Sequence, residues 1–207
     1  MTFAVWTAFL LMVGCYLLFQ RLKRTPGHSR GLEIAVKCAA TAMAAAVALL
    51  GCLRNGTAPH WVMLAGLAAC AVADGVLCVR FVTGGAVFAL GHVLYMTAFW
   101  MMRRPDGRSA LLFLCLAGLA AAAFLRFRRR IGRRFPLVCA YAAVLLLMVT
   151  LASAQAPLYF AGALLFAFSD ALLGYLMLES GHVRLDYLSL GAYYLGQFLL
   201  GLAVFVH

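Results

Sequence analysis

Two long apolar segments joined by a tight turn occupy residues 136–178, PLVCAYAAVLLLMVTLASAQAPLYFAGALLFAFSDALLGYLML. Asp170 is the single charged residue in this stretch. Each segment has the length of about twenty apolar residues that a helix needs to cross a lipid bilayer. The turn lies at residues 155–157. The stretch therefore predicts two consecutive membrane-spanning helices.

The same pattern extends over the rest of the chain, which is 66% apolar and 11% charged, with a mean hydropathy of +1.00. A soluble domain is roughly half apolar and about a quarter charged. Soluble enzymes, disordered proteins and disulfide scaffolds are therefore excluded. A β-barrel would show short alternating segments instead. The sequence predicts an all-α polytopic membrane protein with eight transmembrane helices in one integral membrane domain, residues 1–207. The predicted spans are residues 2–19, 33–53, 61–79, 84–102, 109–125, 136–154, 157–178 and 187–206.

The basic residues occur in short runs between the apolar segments, although the net charge is +11. This placement is typical of membrane-protein loops rather than of nucleic-acid binding, so the expected partner is the lipid bilayer and not a nucleic acid. With the N-terminus outside, twelve bases fall inside and four outside, which favours this orientation. A multi-pass protein of the plasma (inner) membrane is expected if the source is bacterial. The arginine run at residues 126–134 is interpreted as a topology determinant, with anionic lipid headgroups as the alternative.

Metal chemistry finds little support in the sequence. His92 is the one histidine within the core of a predicted span, and neither HExxH nor CxxC occurs. The seven cysteines show no paired metal spacing and are expected to be small buried side chains. The sequence thus predicts neither a metal site nor a cofactor.

A short internal similarity relates the two halves of the chain. The segments CAVADGVL (70–77) and FAFSDALL (166–173) each place an aspartate within a span. Each is followed by a span with glycine, tyrosine and other polar residues, GHVLY (91–95) and GAYYLGQ (191–197). Four spans return the chain to its starting side, so this pattern favours two parallel four-helix repeats.

A few polar residues within the spans are the candidate site. Charged groups in a membrane interior are costly and usually face a cavity or a partner. Counted from the predicted inner ends at 1.5 Å per residue, the candidates lie roughly 6–15 Å deep. This common depth predicts one polar cavity that opens toward the cytoplasmic leaflet. The candidates are Asp74 and Asp170, with Lys37, His92, Tyr95, Tyr193, Tyr194 and Gln197 as supporting residues.

Two carboxyl groups in one low-dielectric cavity rarely both ionise, so such a pair contains an acid and a base at neutral pH. Glycosidases use this arrangement to cleave bonds through an oxocarbenium-like state. A vinyl ether suits the same groups, because protonation of its carbon gives an oxocarbenium ion that water attacks. The resulting hemiacetal collapses to an aldehyde and an alcohol.

The chain resembles the YhhN-like family of integral membrane proteins, whose characterised members include lysoplasmalogenases. The resemblance rests on Lys37, on Asp74 in ACAVADGVL, on GHVLY, on Asp170 in FAFSDALLGY, and on YYLGQ at residues 193–197. It implies an eight-helix fold and hydrolysis of the vinyl ether of lysoplasmalogen, a lysophospholipid, to a fatty aldehyde and glycerophosphoethanolamine or glycerophosphocholine. It also implies that Asp74 and Asp170 are the acid–base pair.

Within this hypothesis, His92, Tyr95, Tyr194 and Gln197 orient water and the glycerol oxygens, and Lys37 or a nearby arginine meets the phosphate. Two alternatives remain open at this point. A proton-coupled transporter of lipids or small molecules would use the same intramembrane carboxylates. A structural membrane subunit would use these polar groups only to hold helices together.

Overall fold

The computed structural model describes residues 2–179 and 182–207, and every regular element in these ranges is helical. This confirms the all-α class. A 3-10 turn at Gly132–Arg134 separates the fifth α-helix from the sixth. The α-helices are Thr2–Leu22 (α1), Arg30–Asn55 (α2), Ala58–Val79 (α3), Phe81–Met102 (α4), Gly107–Ile131 (α5), Phe135–Ala152 (α6), Pro157–Leu178 (α7) and Val183–Val206 (α8).

Seven helical stretches of the described chain are long and apolar enough to cross a membrane. Six of them are single helices. The remaining stretch, Gly107–Ala152, contains α5, the 3-10 turn and α6 without a non-helical break. The helices thus have the length and composition of a multi-pass membrane protein.

The ends of the helices follow from local capping residues. The Ser29 side chain caps the start of α2, because it accepts a hydrogen bond from the Leu32 amide at 3.1 Å. The Asp106 side chain caps the start of α5 in the same way and accepts a hydrogen bond from the Ser109 amide at 3.0 Å. Hydrogen bonds from the Ser109 amide and hydroxyl lower the pKa of the Asp106 carboxyl group, so Asp106 is charged at neutral pH. Prolines occupy the first turns of α3, α6 and α7, where a missing amide hydrogen costs nothing.

Helix α5 is longer than the predicted span 109–125, because it continues through the first arginines of the basic run to Ile131. Arginine is a good helix former, so a polar sequence at the membrane surface does not by itself end a helix. Gly132 ends it with a φ of +60°, a backbone conformation that favours glycine. Hydropathy measures the apolar length of a helix and misses such polar extensions.

Helices α2, α3 and α8 form the centre of the bundle. Helix α2 packs against α1, α3 and α8, whereas α4 packs against α3 and α6, and α7 against α6 and α8. Small residues allow the close crossing of α2 and α8, since a Cβ on Gly51 would lie 2.5 Å from the Val204 carbonyl oxygen. Helix α5 packs mainly against α6 and has one buried residue, Ser109. The other side chains of α5 are exposed or only partly buried.

Polar contacts connect the helices at both ends of the bundle. At one end, Asp186 accepts hydrogen bonds from Lys23 at 2.8 Å and Arg24 at 2.9 Å, which joins α8 to the segment after α1. At the other end, the Ser153 hydroxyl donates to the Ser109 hydroxyl at 3.0 Å. Because Ser109 lies in the first turn of α5 and Ser153 directly follows the end of α6, these two helices run antiparallel.

Candidate functional site

Asp74 lies on α3 in the centre of the bundle, and its side chain is only 2% exposed. The Thr41 hydroxyl donates to its Oδ2 at 2.5 Å, and the Tyr193 hydroxyl donates to the same oxygen at 2.7 Å. The Lys37 ammonium lies 3.4 Å from the other oxygen, Oδ1. Both carboxylate oxygens of Asp74 thus have polar partners, which is what a buried charge requires.

The spacing of residues on α2 explains how this network forms. Lys37 and Thr41 are four residues apart, so they share one face of α2 and reach the same carboxylate. Tyr194 donates to the backbone oxygen of Lys37 at 3.4 Å and joins α8 to this part of α2. The Lys37 ammonium therefore contacts Asp74 inside the bundle.

Asp170 lies on α7 in a second network. The Tyr141 hydroxyl, from α6, donates to its Oδ2 at 2.5 Å. His92, from α4, places its Nε2 atom 3.2 Å from the Tyr141 oxygen and 3.8 Å from Asp170 Oδ2. The Asp170 side chain is 13% exposed, against 2% for Asp74. Asp170 is thus the more accessible of the two carboxyl groups.

Aromatic rings occupy the space between the two networks. The Phe166 ring centroid lies 4.6 Å from that of His92 and 5.3 Å from that of Tyr193. Within the described chain the two aspartates share no hydrogen-bond or ion-pair partner. The candidate residues thus form two neighbouring networks, instead of one continuous hydrogen-bonded cluster.

Tyr95 and Gln197 form a third buried contact. The Tyr95 hydroxyl donates to Gln197 Oε1 at 2.7 Å and lies 3.6 Å from the Cys70 sulfur. The amide nitrogen of Gln197 and the Nδ1 atom of His92 are buried without a hydrogen-bond partner among the described residues. Such atoms favour a polar ligand or a water molecule at these positions.

Two residues of these networks were not among the candidates predicted from the sequence, Tyr141 and Thr41. Tyrosine and threonine are common in apolar helices, so neither residue type marks a site. The four-residue spacing from Lys37 is the one signal for Thr41. For Tyr141, the signal is a phenol in the middle of an apolar segment, VCAYAAVLLL, away from the interfaces where tyrosines concentrate.

Three or more histidine, cysteine, aspartate or glutamate side chains do not converge on a metal-binding position anywhere in residues 2–179 or 182–207. The polar groups that the two networks bring together are carboxyl, phenol, hydroxyl, imidazole and ammonium groups.

These observations define a class, a helical membrane protein that holds two carboxyl groups, one buried and one partly exposed, in separate hydrogen-bonded networks. The chain belongs to the YhhN family, which matches over residues 32–204. This range includes all the residues of both networks and confirms the resemblance inferred from the sequence. Comparisons with curated proteins and with solved structures found no match.

Proposed function

We propose that this protein is a lysoplasmalogenase-like hydrolase that cleaves the vinyl ether bond of a lysoplasmalogen. The products are a fatty aldehyde and glycerophosphoethanolamine or glycerophosphocholine. Membership of the YhhN family, which is associated with this activity, supports the proposal. The observation that carries it is the pair of intramembrane carboxyl groups with different surroundings, one beside a lysine and one beside a histidine.

The different surroundings assign a role to each carboxyl group. The Lys37 ammonium and two hydroxyl donors offset part of the cost of burying the ionised form of Asp74. Asp170 has a single hydroxyl donor, a neighbouring imidazole and partial exposure, so it is the group suited to carry a proton to a substrate. We therefore assign Asp170 as the general acid and Asp74 as the anion that stabilises the developing positive charge.

The reaction needs one proton transfer to carbon and one water molecule. Asp170 donates its proton to the outer vinyl carbon, and the adjacent carbon becomes an oxocarbenium ion. Water adds to that carbon and loses a proton, which returns to the carboxylate. As the bond between carbon and the glycerol oxygen of the hemiacetal breaks, Asp170 gives its proton to that oxygen and takes up the proton that the hemiacetal hydroxyl loses, which leaves an aldehyde and an alcohol. The buried nitrogens of His92 and Gln197 are the groups available to hold the water or the glycerol oxygens.

The same proposal includes eight membrane crossings in two parallel repeats. The antiparallel course of α5 and α6 supports two crossings within residues 107–152. The partners of Asp74 come from α2 and α8, and those of Asp170 come from α6 and α4. Moving four helices along the chain, and counting α1 after α8, converts α3 into α7, α2 into α6 and α8 into α4. This relation supports equivalent positions for the two carboxyl groups. The excess of bases at the arginine-rich end supports an N-terminus outside.

The test is a lipid-product assay with the purified protein. Lysoplasmalogen is supplied beside its ester-linked and alkyl-ether analogues, and long-chain aldehyde is measured by mass spectrometry. We expect aldehyde from the vinyl ether alone. Asp170→Asn should lower the rate by about 10²–10⁴, the size of a general acid contribution, and Asp74→Asn by about 10²–10³, the size of an electrostatic contribution.

Asp106→Asn is the matched control, because Asp106 lies in a loop outside both networks and asparagine caps a helix as well as aspartate does. This variant should retain the wild-type rate. Full activity of either network variant would remove that aspartate from the mechanism. Uptake of intact lipid into proteoliposomes, with no aldehyde formed, would contradict hydrolysis and favour a proton-coupled transporter.

A further inference from the structure

The turn between α5 and α6 forms a concave, strongly basic surface that the proposed reaction does not use. A cavity of about 630 Å³ opens there. This volume lies within the range of about 300–1,000 Å³ that is typical of small-molecule sites. Its lining consists of Arg128, Arg129, Gly132, Arg133, Phe135 and Pro136.

The backbone brings three arginines to this cavity from both sides of the turn. Gly132, with its φ of +60°, redirects the chain after α5, and Arg133 then lines the same cavity as Arg128 and Arg129. The Arg128 guanidinium lies 5.6 Å from the centroid of the Phe135 ring. This distance is that of a cation–π contact, which holds the guanidinium at the cavity wall.

The charges of these arginines are not neutralised by the protein. Arg130, the next residue along α5, forms an ion pair with Glu179 at the end of α7. Arg128, Arg129 and Arg133 have no acidic side chain within ion-pair distance in the described part of the chain. Three guanidinium groups around one concavity fit an anion, and their planar forks match the oxygens of a phosphate group.

The apolar surroundings distinguish a lipid phosphate from a soluble one. Phe135 and Pro136 form part of the wall, and Leu125 and Leu137 are exposed on the adjoining turns of α5 and α6. A soluble phosphate ester would leave these side chains uncovered. We propose that this arginine cavity binds the phosphate group of a membrane lipid, whose acyl chains lie along the apolar side of the hairpin.

The test measures lipid binding by the full-length protein with native mass spectrometry. Phosphatidylglycerol is compared with diacylglycerol of the same chains, which lacks the phosphate, and with sn-glycerol 3-phosphate and inorganic phosphate. We expect phosphatidylglycerol to bind and the other three probes to bind far more weakly. The variant R128Q/R129Q/R133Q should bind phosphatidylglycerol about a hundredfold more weakly, since each basic side chain near an anionic lipid contributes about fivefold.

The matched control is R103Q/R104Q/R108Q, which removes three charges around the other end of α5 and should retain the wild-type affinity. Equal losses in the two variants would overturn the proposal in favour of a general surface charge. Tight binding of sn-glycerol 3-phosphate or of diacylglycerol would also overturn it. Should the triple variant lose its helical circular dichroism, R129Q alone should weaken binding about fivefold. No turnover is measured, so failure here leaves the proposed hydrolysis untouched.

Discussion

The buried pair of Lys37 and Asp74 makes a quantitative prediction about stability. Replacement of one partner of a buried ion pair leaves the other charge uncompensated and costs about 3–5 kcal/mol. In Lys37→Met, the two hydroxyl donors to Asp74 remain, and the carboxylate can take up a proton. That uptake costs about 4 kcal/mol at pH 7 for a carboxyl group of ordinary pKa, which sets an upper limit. We therefore expect Lys37→Met to lower the free energy of unfolding by about 3–4 kcal/mol.

The double variant K37M/D74N removes both charges and should recover most of this loss, to within about 1 kcal/mol of the wild type. Asp74→Asn alone should cost less than Lys37→Met, because the long lysine side chain can reach toward the interface. The measurement is SDS-induced unfolding in mixed micelles, followed by far-ultraviolet circular dichroism. As the pH is lowered from 7 to 5, protonation becomes easier and the penalty in Lys37→Met should shrink.

The matched control is Lys23→Met, which breaks the exposed pair with Asp186, where the side chains are 45% and 27% exposed. It should cost less than about 1 kcal/mol. A penalty for Lys37→Met as small as that of Lys23→Met would refute the reasoning. Simple additivity of Lys37→Met and Asp74→Asn would refute it too, because it would mean that the two groups do not interact.

Two further predictions concern the second network and the helix packing. Tyr141→Phe removes the hydroxyl that donates to Asp170 and should lower aldehyde release about 10–100-fold, because that hydrogen bond stabilises the carboxylate that forms as Asp170 gives up its proton. The control Tyr175→Phe should retain the wild-type rate. Activity of Tyr141→Phe equal to wild type would exclude a role for the phenol. Gly201→Ala should lower the free energy of unfolding by about 1–3 kcal/mol, because its Cβ would overlap the Ala44 carbonyl oxygen. In the control Gly174→Ala, the added Cβ has no neighbouring atom within 4 Å, so this variant should unfold at the wild-type midpoint. Equal unfolding midpoints for the two alanine variants would contradict this packing argument.

The helices could be predicted from the sequence because the membrane imposes a length on them. A span must be apolar over about twenty residues, and that requirement is visible in the sequence without any tertiary information. The predicted spans 33–53 and 157–178 differ from α2 and α7 by at most three residues at any end. The larger difference at the end of α5 arises where helix propensity, rather than hydropathy, determines the boundary.

The positions of the candidate residues along their helices could be predicted from the sequence, but their connections could not. The position of a residue along a span gives its height in the membrane, and Lys37, Asp74 and Tyr193 do meet at one height. Contact also requires that the helices be neighbours and that the residues face each other. Helix α3 packs against α2, α4 and α8, whereas α7 packs against α6 and α8. Asp74 and Asp170 therefore have different partners although the sequence predicts both within the inner half of the membrane.

The difference between the two networks has a chemical consequence within the proposed repeats. In both networks a tyrosine phenol donates to the aspartate, at 2.7 Å from Tyr193 and 2.5 Å from Tyr141. The basic neighbour differs, since Asp74 lies beside the Lys37 side-chain nitrogen and Asp170 lies beside the His92 imidazole. Two identical sites would favour the same charge state for both carboxyl groups. In the proposed mechanism, the lysine beside Asp74 and the histidine beside Asp170 give the two carboxyl groups the separate roles of anion and acid that protonation of a vinyl ether requires.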